Sequence, residues 1–95
     1  MTTMFFVTTF EVKNNQILYS RCIGYYENYN KAAKTVMNNN FDIHEGCYNY
    51  ALIEAIPAGS YPTPIFQKWF RYAGNDSYTE IPQPEFAEHV EPLIG

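Results

Sequence analysis

The stretch Asn-Tyr-Asn-Lys-Ala-Ala-Lys-Thr-Val-Met at residues 28–37 decides the fold, because it contains the clearest helical pattern in the chain. Its apolar residues recur at the spacing of one face of an α-helix. They are Tyr29, Ala32, Ala33, Val36 and Met37. Asn28 is placed to cap this helix, and the three asparagines at 38–40 end it, since asparagine competes locally for backbone hydrogen bonds. The pattern therefore predicts one amphipathic helix.

The segments on both sides of this helix have the composition of β-strands, because they are rich in β-branched and aromatic residues. The predicted strands are 4–12, 16–26, 48–56, 65–72 and 78–81. Asn-Asn at 14–15 and Gly-Asn-Asp-Ser at 74–77 are turn sequences, so each is expected to close a hairpin. The strand at 48–56 is the most apolar of the five, and we expect it to be central. Residues 41–47 and the proline-rich stretch 57–64 are predicted to be loops.

The end of the chain completes the predicted architecture. Pro84 followed by Glu85 indicates a short last helix at 84–91, and Pro92 stops it. The predicted order is ββαβββα, in the α+β class. It corresponds to a mainly antiparallel sheet of about five strands, with the amphipathic helix on one face and a short C-terminal helix. With 95 residues, the chain is expected to form a single domain over 1–95.

Composition and charge exclude several classes of function. The net charge of −4 and the pI of about 5.0 argue against a nucleic-acid-binding domain, which is typically basic. The first residues lack the basic and apolar regions of a signal peptide, and no apolar run reaches the length needed to span a bilayer. We therefore expect a cytoplasmic protein with no membrane partner, in which the two cysteines are free thiols or ligands.

The densest polar segment, Asp-Ile-His-Glu-Gly-Cys at 42–47, allows a metal-site hypothesis. The two-residue gap between His44 and Cys47 suits two ligands of one zinc ion, and Cys22 is the natural third ligand. Candidates for the fourth ligand are Asp42, Glu45 and His89. The alternative is a solvated loop that holds an incidental histidine and a cysteine packed as a small hydrophobic residue. On the first interpretation, zinc would be a cofactor that stabilises the domain.

The same segment contains the one credible catalytic couple, in which Cys47 is a nucleophile, His44 its base and Asp42 the orienting group. Such a site requires all three groups within hydrogen-bond reach. No glycine turn of the oxyanion type is evident beside them, and the chain has no glycine-rich phosphate loop. We therefore expect a protein that is not an enzyme.

Two features suggest a protein partner. Nine tyrosines exceed what a helix-on-sheet core of this size needs, and tyrosine is enriched at protein interfaces. Residues 74–95 contain five acidic residues and no lysine or arginine, so they would favour a basic partner. The predicted partner-binding residues are Asp76, Glu80, Glu85, Glu88, Glu91, Tyr72 and Tyr78. The alternatives are ordinary surface tyrosines and a solubilising chain end.

Five segments resemble a family of small uncharacterised α+β proteins that Firmicutes and their prophages encode. They are residues 5–9, 24–26, 42–45, 50–54 and 68–70, which together extend over most of the chain. The resemblance implies a compact domain often carried on mobile elements, with no catalytic residues. It further suggests an anti-defence protein, such as an anti-CRISPR inhibitor that docks on a basic nuclease. The alternative is a zinc-stabilised accessory subunit of a host complex.

Overall fold

The chain forms five strands and one α-helix in the part that the computed structural model describes, residues 2–59 and 64–87. The elements, in chain order, are β1 (Thr3–Lys13), β2 (Gln16–Tyr26), α1 (Tyr29–Met37), a 3₁₀ turn (Asn40–Asp42), β3 (Tyr50–Pro57), β4 (Phe66–Gly74), β5 (Ser77–Ile81) and a second 3₁₀ turn (Glu85–Ala87). The strands lie in the order β2-β1-β3-β4-β5, and every neighbouring pair is antiparallel. The predicted sheet of five strands with one helix on it is therefore confirmed.

Both hairpins turn on residues that tolerate a left-handed backbone. Asn14 and Asn15 have φ values of 51° and 63°, and Asn75 and Asp76 have φ values of 53° and 54°. Two successive left-handed residues match the twist of the flanking strands, which is why such turns favour asparagine, aspartate and glycine. These local preferences explain why both turns could be predicted from the sequence.

Helix α1 begins at its predicted cap. The Asn28 side chain accepts a hydrogen bond of 3.2 Å from the Lys31 N–H, as a capping asparagine does. Ala32, Ala33 and Val36 then pack on the sheet in a core with residues of four strands. Met37 was predicted on the buried face, but it is 41% exposed because the helix ends there and the chain leaves the sheet.

Strand β3 is the central strand, as its apolar composition predicts, because it pairs with β1 on one side and β4 on the other. Its residues 51–56 are all buried, since both faces of the sheet are covered at this position. One face lies under α1. The opposite face holds a second core. The members of that core are Phe10, Val12, Leu52, Trp69 and Ala87.

Only the beginning of the predicted C-terminal helix lies within the described residues. Residues 85–87 form a single 3₁₀ turn there, and 88–91 fall outside the described ranges. The packing of Phe86 against Trp69, with ring centroids 5.4 Å apart, joins this turn to the second core. None of the helices in the described ranges is long and apolar enough to cross a lipid bilayer.

Candidate functional site

The two tyrosines predicted to bind a partner differ in their burial. Tyr78 is only 3% exposed, and its hydroxyl donates a hydrogen bond of 2.6 Å to the Tyr48 carbonyl. Burial raises the pKa of this phenol well above its usual value. Tyr72 is half-buried and stacks on His44, with ring centroids 3.7 Å apart and the planes inclined by 5°. Tyr78 is thus part of the core, which corrects its predicted place on an exposed surface.

The predicted acidic residues are spread over several elements. Asp76 is exposed in the β4–β5 turn, where its N–H donates to the Tyr72 hydroxyl at 3.3 Å. Glu80 Oε2 lies 3.6 Å from Lys68 Nζ on the neighbouring strand, so its charge already has an opposite partner. Glu85 begins the second 3₁₀ turn and is exposed. Glu88 and Glu91 lie outside the described residues.

The predicted zinc ligands are not gathered into a metal site. Residues 2–59 and 64–87 contain no group of three or more His, Cys, Asp or Glu side chains that could hold a metal ion. Cys22 on β2 is 3.8 Å from the Gly24 carbonyl, to which its thiol donates. The His44 ring lies against Tyr72 on β4. His89, a candidate fourth ligand, lies outside the described ranges.

The surroundings of Cys47 oppose its use as a nucleophile. Burial raises the pKa of the thiol, and the negative charges of Glu11 and Glu45 raise it further. The reactive form of cysteine is the thiolate, and activated cysteines have depressed pKa values. Its neighbour in sequence, His44, is stacked on Tyr72. The geometry therefore gives no support to a Cys47–His44 catalytic couple.

The loop between α1 and β3 has an unusual backbone. Four of its non-glycine residues lie in the left-handed region of φ, between 49° and 59°. They are Asn39, Phe41, Asp42 and Glu45. The Asn39 side chain ties the loop together, since its amide donates to Asp42 at 3.3 Å and its oxygen accepts from the His44 N–H at 2.9 Å. These two hydrogen bonds connect the start of the loop to residues 42 and 44.

Phe41 is a large apolar residue of this loop that is exposed to solvent. Its φ and ψ are 59° and 20°, and its side chain is 93% exposed. A left-handed backbone costs an L-residue other than glycine roughly 1–2 kcal/mol. Exposure of a whole phenyl ring is also unfavourable, because its apolar surface stays in water. Strained residues are concentrated at functional sites, so Phe41 is the strongest candidate for such a role.

A cleft of about 290 Å³ opens beside Phe41. Apolar and aromatic residues of β2 and of the loop form much of its wall, and Phe41 itself lines it. The lining residues are Arg21, Cys22, Ile23, Tyr26, Thr35, Phe41, Ile43 and Glu45. Small-molecule sites usually measure about 300–1,000 Å³. This cleft, at about 290 Å³, lies just below that range, and its size suits a single side chain.

An ion pair at this cleft connects β2 to the loop. Arg21 Nη1 lies 2.9 Å and 3.1 Å from the two carboxylate oxygens of Glu45. Tyr19, two residues from Arg21 on the same face of β2, is 66% exposed. We call the set Tyr19, Arg21, Phe41 and Glu45 the Phe41 surface. Tyrosine, arginine and an exposed aromatic anchor are residues typical of the centres of protein interfaces.

A larger cleft of about 590 Å³ lies at the opposite edge of the sheet. It opens where the β4–β5 ladder ends at Trp69 and Ile81, because Pro82 has no N–H to continue the pairing. The Lys68–Glu80 ion pair lies in its wall, and its Trp69 is buried. It presents no exposed aromatic side chain, so the Phe41 surface is the better candidate.

Of the residues of the Phe41 surface, the sequence singled out Glu45 alone, and only as a candidate fourth zinc ligand. A phenylalanine that follows three asparagines is predicted to lie in a connecting loop. Its exposure depends on the backbone conformation of that loop, which the spacing of apolar residues does not predict. The combination Asn-Asn-Asn-Phe-Asp was the available sign, since asparagine and aspartate favour left-handed turns. No protein-family model, curated protein or solved structure matches the chain.

Proposed function

We propose that this protein is a non-enzymatic protein-binding module that docks on its partner through the Phe41 surface. The single observation that carries the proposal is the 93% exposed ring of Phe41, held on a left-handed backbone. A partner that buries this ring removes its apolar surface from water. The two Asn39 hydrogen bonds restrain the loop before binding, so less conformational entropy remains to be lost.

The neighbours of Phe41 support docking on a protein. The Arg21–Glu45 pair is exposed and can exchange hydrogen bonds with a polar rim, while Tyr19 adds a rigid aromatic ring with a polar end. These residue types match an interface in which an aromatic anchor is surrounded by polar groups. The net charge of −4 favours a basic partner, because long-range attraction raises the association rate.

A specific form of this proposal is the anti-defence role, in which the partner is a nuclease such as a CRISPR effector. It rests on the resemblance to prophage-encoded proteins and on the acidic character of the chain. The test is a plasmid-interference assay in cells that carry an active CRISPR system. Loss of interference with the wild-type chain, and its return with Phe41→Ala, is the expected result. Full interference in the presence of the wild-type chain contradicts this form of the proposal.

The general proposal is tested by photo-crosslinking at the anchor itself. A benzophenone analogue of phenylalanine placed at position 41 should capture the partner covalently, because the ring lies in the interface. The matched control carries the analogue at Ile65, which is also exposed, at 64%, but lies just before β4. Capture of a protein other than this chain from position 41, and not from position 65, supports the proposal, and capture of nothing but the chain itself contradicts it.

A second arm uses the unmodified partner identified in this way. Phe41→Ala should weaken its binding by at least about tenfold, as expected for a central aromatic anchor, whereas Ile65→Ala should have no effect. Equal affinity of the Phe41→Ala variant and the wild type would show that the partner docks elsewhere.

A further inference from the structure

The Phe41 surface contains both a projecting ring and a cleft that can receive one. Phe41 is 93% exposed, and the cleft of about 290 Å³ lies directly beside it. A two-fold interface uses the same patch on both subunits, so that a group of one chain meets its complement on the other. A knob and a hole side by side on one surface satisfy this condition.

We propose that the chain binds a second copy of itself through this surface, with Phe41 of each chain seated in the cleft of the other. The proposed occupant is thus a phenyl ring, whose faces can contact Ile23 and Tyr26 in the cleft, while the charged groups of Arg21 and Glu45 lie in the same lining. The second copy is favoured by the local charge. Residues 21–47 contain three basic and three acidic side chains, although the chain as a whole has a net charge of −4.

The charges of this region are also arranged for self-pairing. Arg21 and Glu45 both line the cleft, and both are exposed. Across a two-fold axis, Arg21 of one chain can approach Glu45 of the other, and the reverse pair forms at the same time. The overall negative charge opposes association at long range, so attraction at the contact itself has to exceed it.

The expected dimer is weak and depends on concentration. A phenylalanine side chain buries about 150–250 Å², and two of them with their surroundings give an interface at the small end of specific complexes. Because each ring occupies one cleft at a time, self-association and partner binding exclude each other at this surface. That consequence rests on the proposed function, whereas self-association does not.

Sedimentation of the purified full-length chain over a concentration series is the test. The wild type should move from the monomer mass of 11.1 kDa toward twice that mass as concentration rises. Phe41→Ala and Phe41→Asn should each weaken the dimer by at least about tenfold. Ile65→Ala should sediment as the wild type does. A wild type that remains monomeric, or a Phe41→Ala variant that dimerises equally well, overturns the proposal.

Isotope-filtered NMR on a mixture of labelled and unlabelled chains locates the contact. Magnetisation transfer between the Phe41 ring of one chain and the Ile23 or Ile43 methyl groups of the other is expected. Dimers without this transfer would overturn reciprocal insertion. The asparagine variant keeps the experiment interpretable, because asparagine tolerates the left-handed backbone and the fold should be retained. Failure of dimerisation leaves photo-crosslinking of a foreign partner unaffected, so the two proposals can be tested separately.

Discussion

Phe41 shows how one residue can lower stability without making a contact in the core. Its ring is almost fully exposed, so its removal takes away no buried apolar surface, while its φ of 59° is unfavourable for a phenylalanine. Strain of this kind persists when neighbouring interactions determine the backbone. The Asn39 side chain, which bonds to both Asp42 and His44, supplies these interactions.

Phe41→Asn is therefore expected to increase the free energy of unfolding by about 1 kcal/mol, because asparagine is less strained at this position. Urea unfolding measures the change. The matched control is Tyr19→Asn, which also removes an exposed aromatic ring but from extended backbone, and which should give no gain. A stability of Phe41→Asn equal to or below that of the wild type would show that the loop stores no strain at this residue.

Tyr78 is the opposite case, a polar side chain that the core requires. Its hydroxyl donates at 2.6 Å to the Tyr48 carbonyl at a buried position. Tyr78→Phe should lower the free energy of unfolding by about 1 kcal/mol, the usual net value of one hydrogen bond. Tyr72→Phe is the control, because the Tyr72 hydroxyl accepts only a long, exposed bond of 3.3 Å. Equal losses in the two variants would contradict the role of burial.

The same phenol gives a prediction for alkaline pH. Burial raises the pKa of Tyr78 in the folded chain, so above the unfolded value of about 10 the unfolded chain loses its proton first. The stability that the Tyr78 phenol contributes is fully present below about pH 10, and it is lost as the pH rises toward the raised pKa of the folded chain. Unfolding measured from neutral to alkaline pH should show this decline, and Tyr78→Phe should reduce its slope. An unchanged slope in the variant would assign the decline to other groups.

At the scale of elements, α1 depends on its first turn. The helix has nine residues, a length that is marginal for an isolated helix, so capping and packing decide whether it forms. Asn28→Ala removes the side-chain acceptor of the Lys31 N–H and should destabilise the protein by about 1 kcal/mol. Asn30→Ala, an exposed change inside the same helix, should be neutral or slightly stabilising. Thermal unfolding of the two variants distinguishes them, and similar melting temperatures would contradict the cap.

Strand β2 is an edge strand whose irregular pairing disfavours the addition of another strand. It is an edge strand of eleven residues, and its pairing with β1 shifts register twice, between Val7 and Thr8 and between Glu11 and Val12. Bulges interrupt the regular row of backbone groups that another strand would need. Binding at this edge is therefore expected to use side chains such as those of the Phe41 surface rather than an added strand.

At the scale of the whole molecule, two cores on opposite faces of one sheet share the central strand β3. Leu52 is fully buried in the second core and pairs with Thr8 and Trp69 on either side. Leu52→Ala should cost about 2–5 kcal/mol, which is comparable to the total stability of a small domain. We expect this variant to be largely unfolded at room temperature. Its fluorescence reports the change, because Trp69 is the chain's one tryptophan and is buried.

Leu18→Ala is the control for this experiment, since Leu18 is exposed on β2 and loses little contact area. It should unfold at nearly the wild-type urea concentration. A Leu52→Ala variant as stable as this control would show that the second core contributes little to the fold.

The sequence by itself determined the elements and their order over the described residues up to β5. Each depends on local properties, namely the helical spacing of 29–37, the left-handed tolerance of Asn14 and Asn15, and the strand composition of 48–56. The central position of β3 was predicted from its apolar composition. A central strand is covered on both faces of the sheet, so most of its side chains are apolar. The predicted helix beyond residue 87 lies outside the described residues.

The tertiary structure alone decided which aromatic side chains are exposed to solvent. Tyr78 is buried, whereas Phe41 is exposed, although both are aromatic residues with polar neighbours in the sequence. Tyr19 is exposed too, although two apolar residues precede it. Exposure depends on which face of a strand a residue occupies and on what packs there, and a single bulge reverses the alternation. The arrangement of the predicted zinc ligands also depends on the tertiary structure. Cys22 lines the cleft between β2 and the loop together with Ile43 and Glu45, but the ring of His44 stacks on Tyr72 of β4.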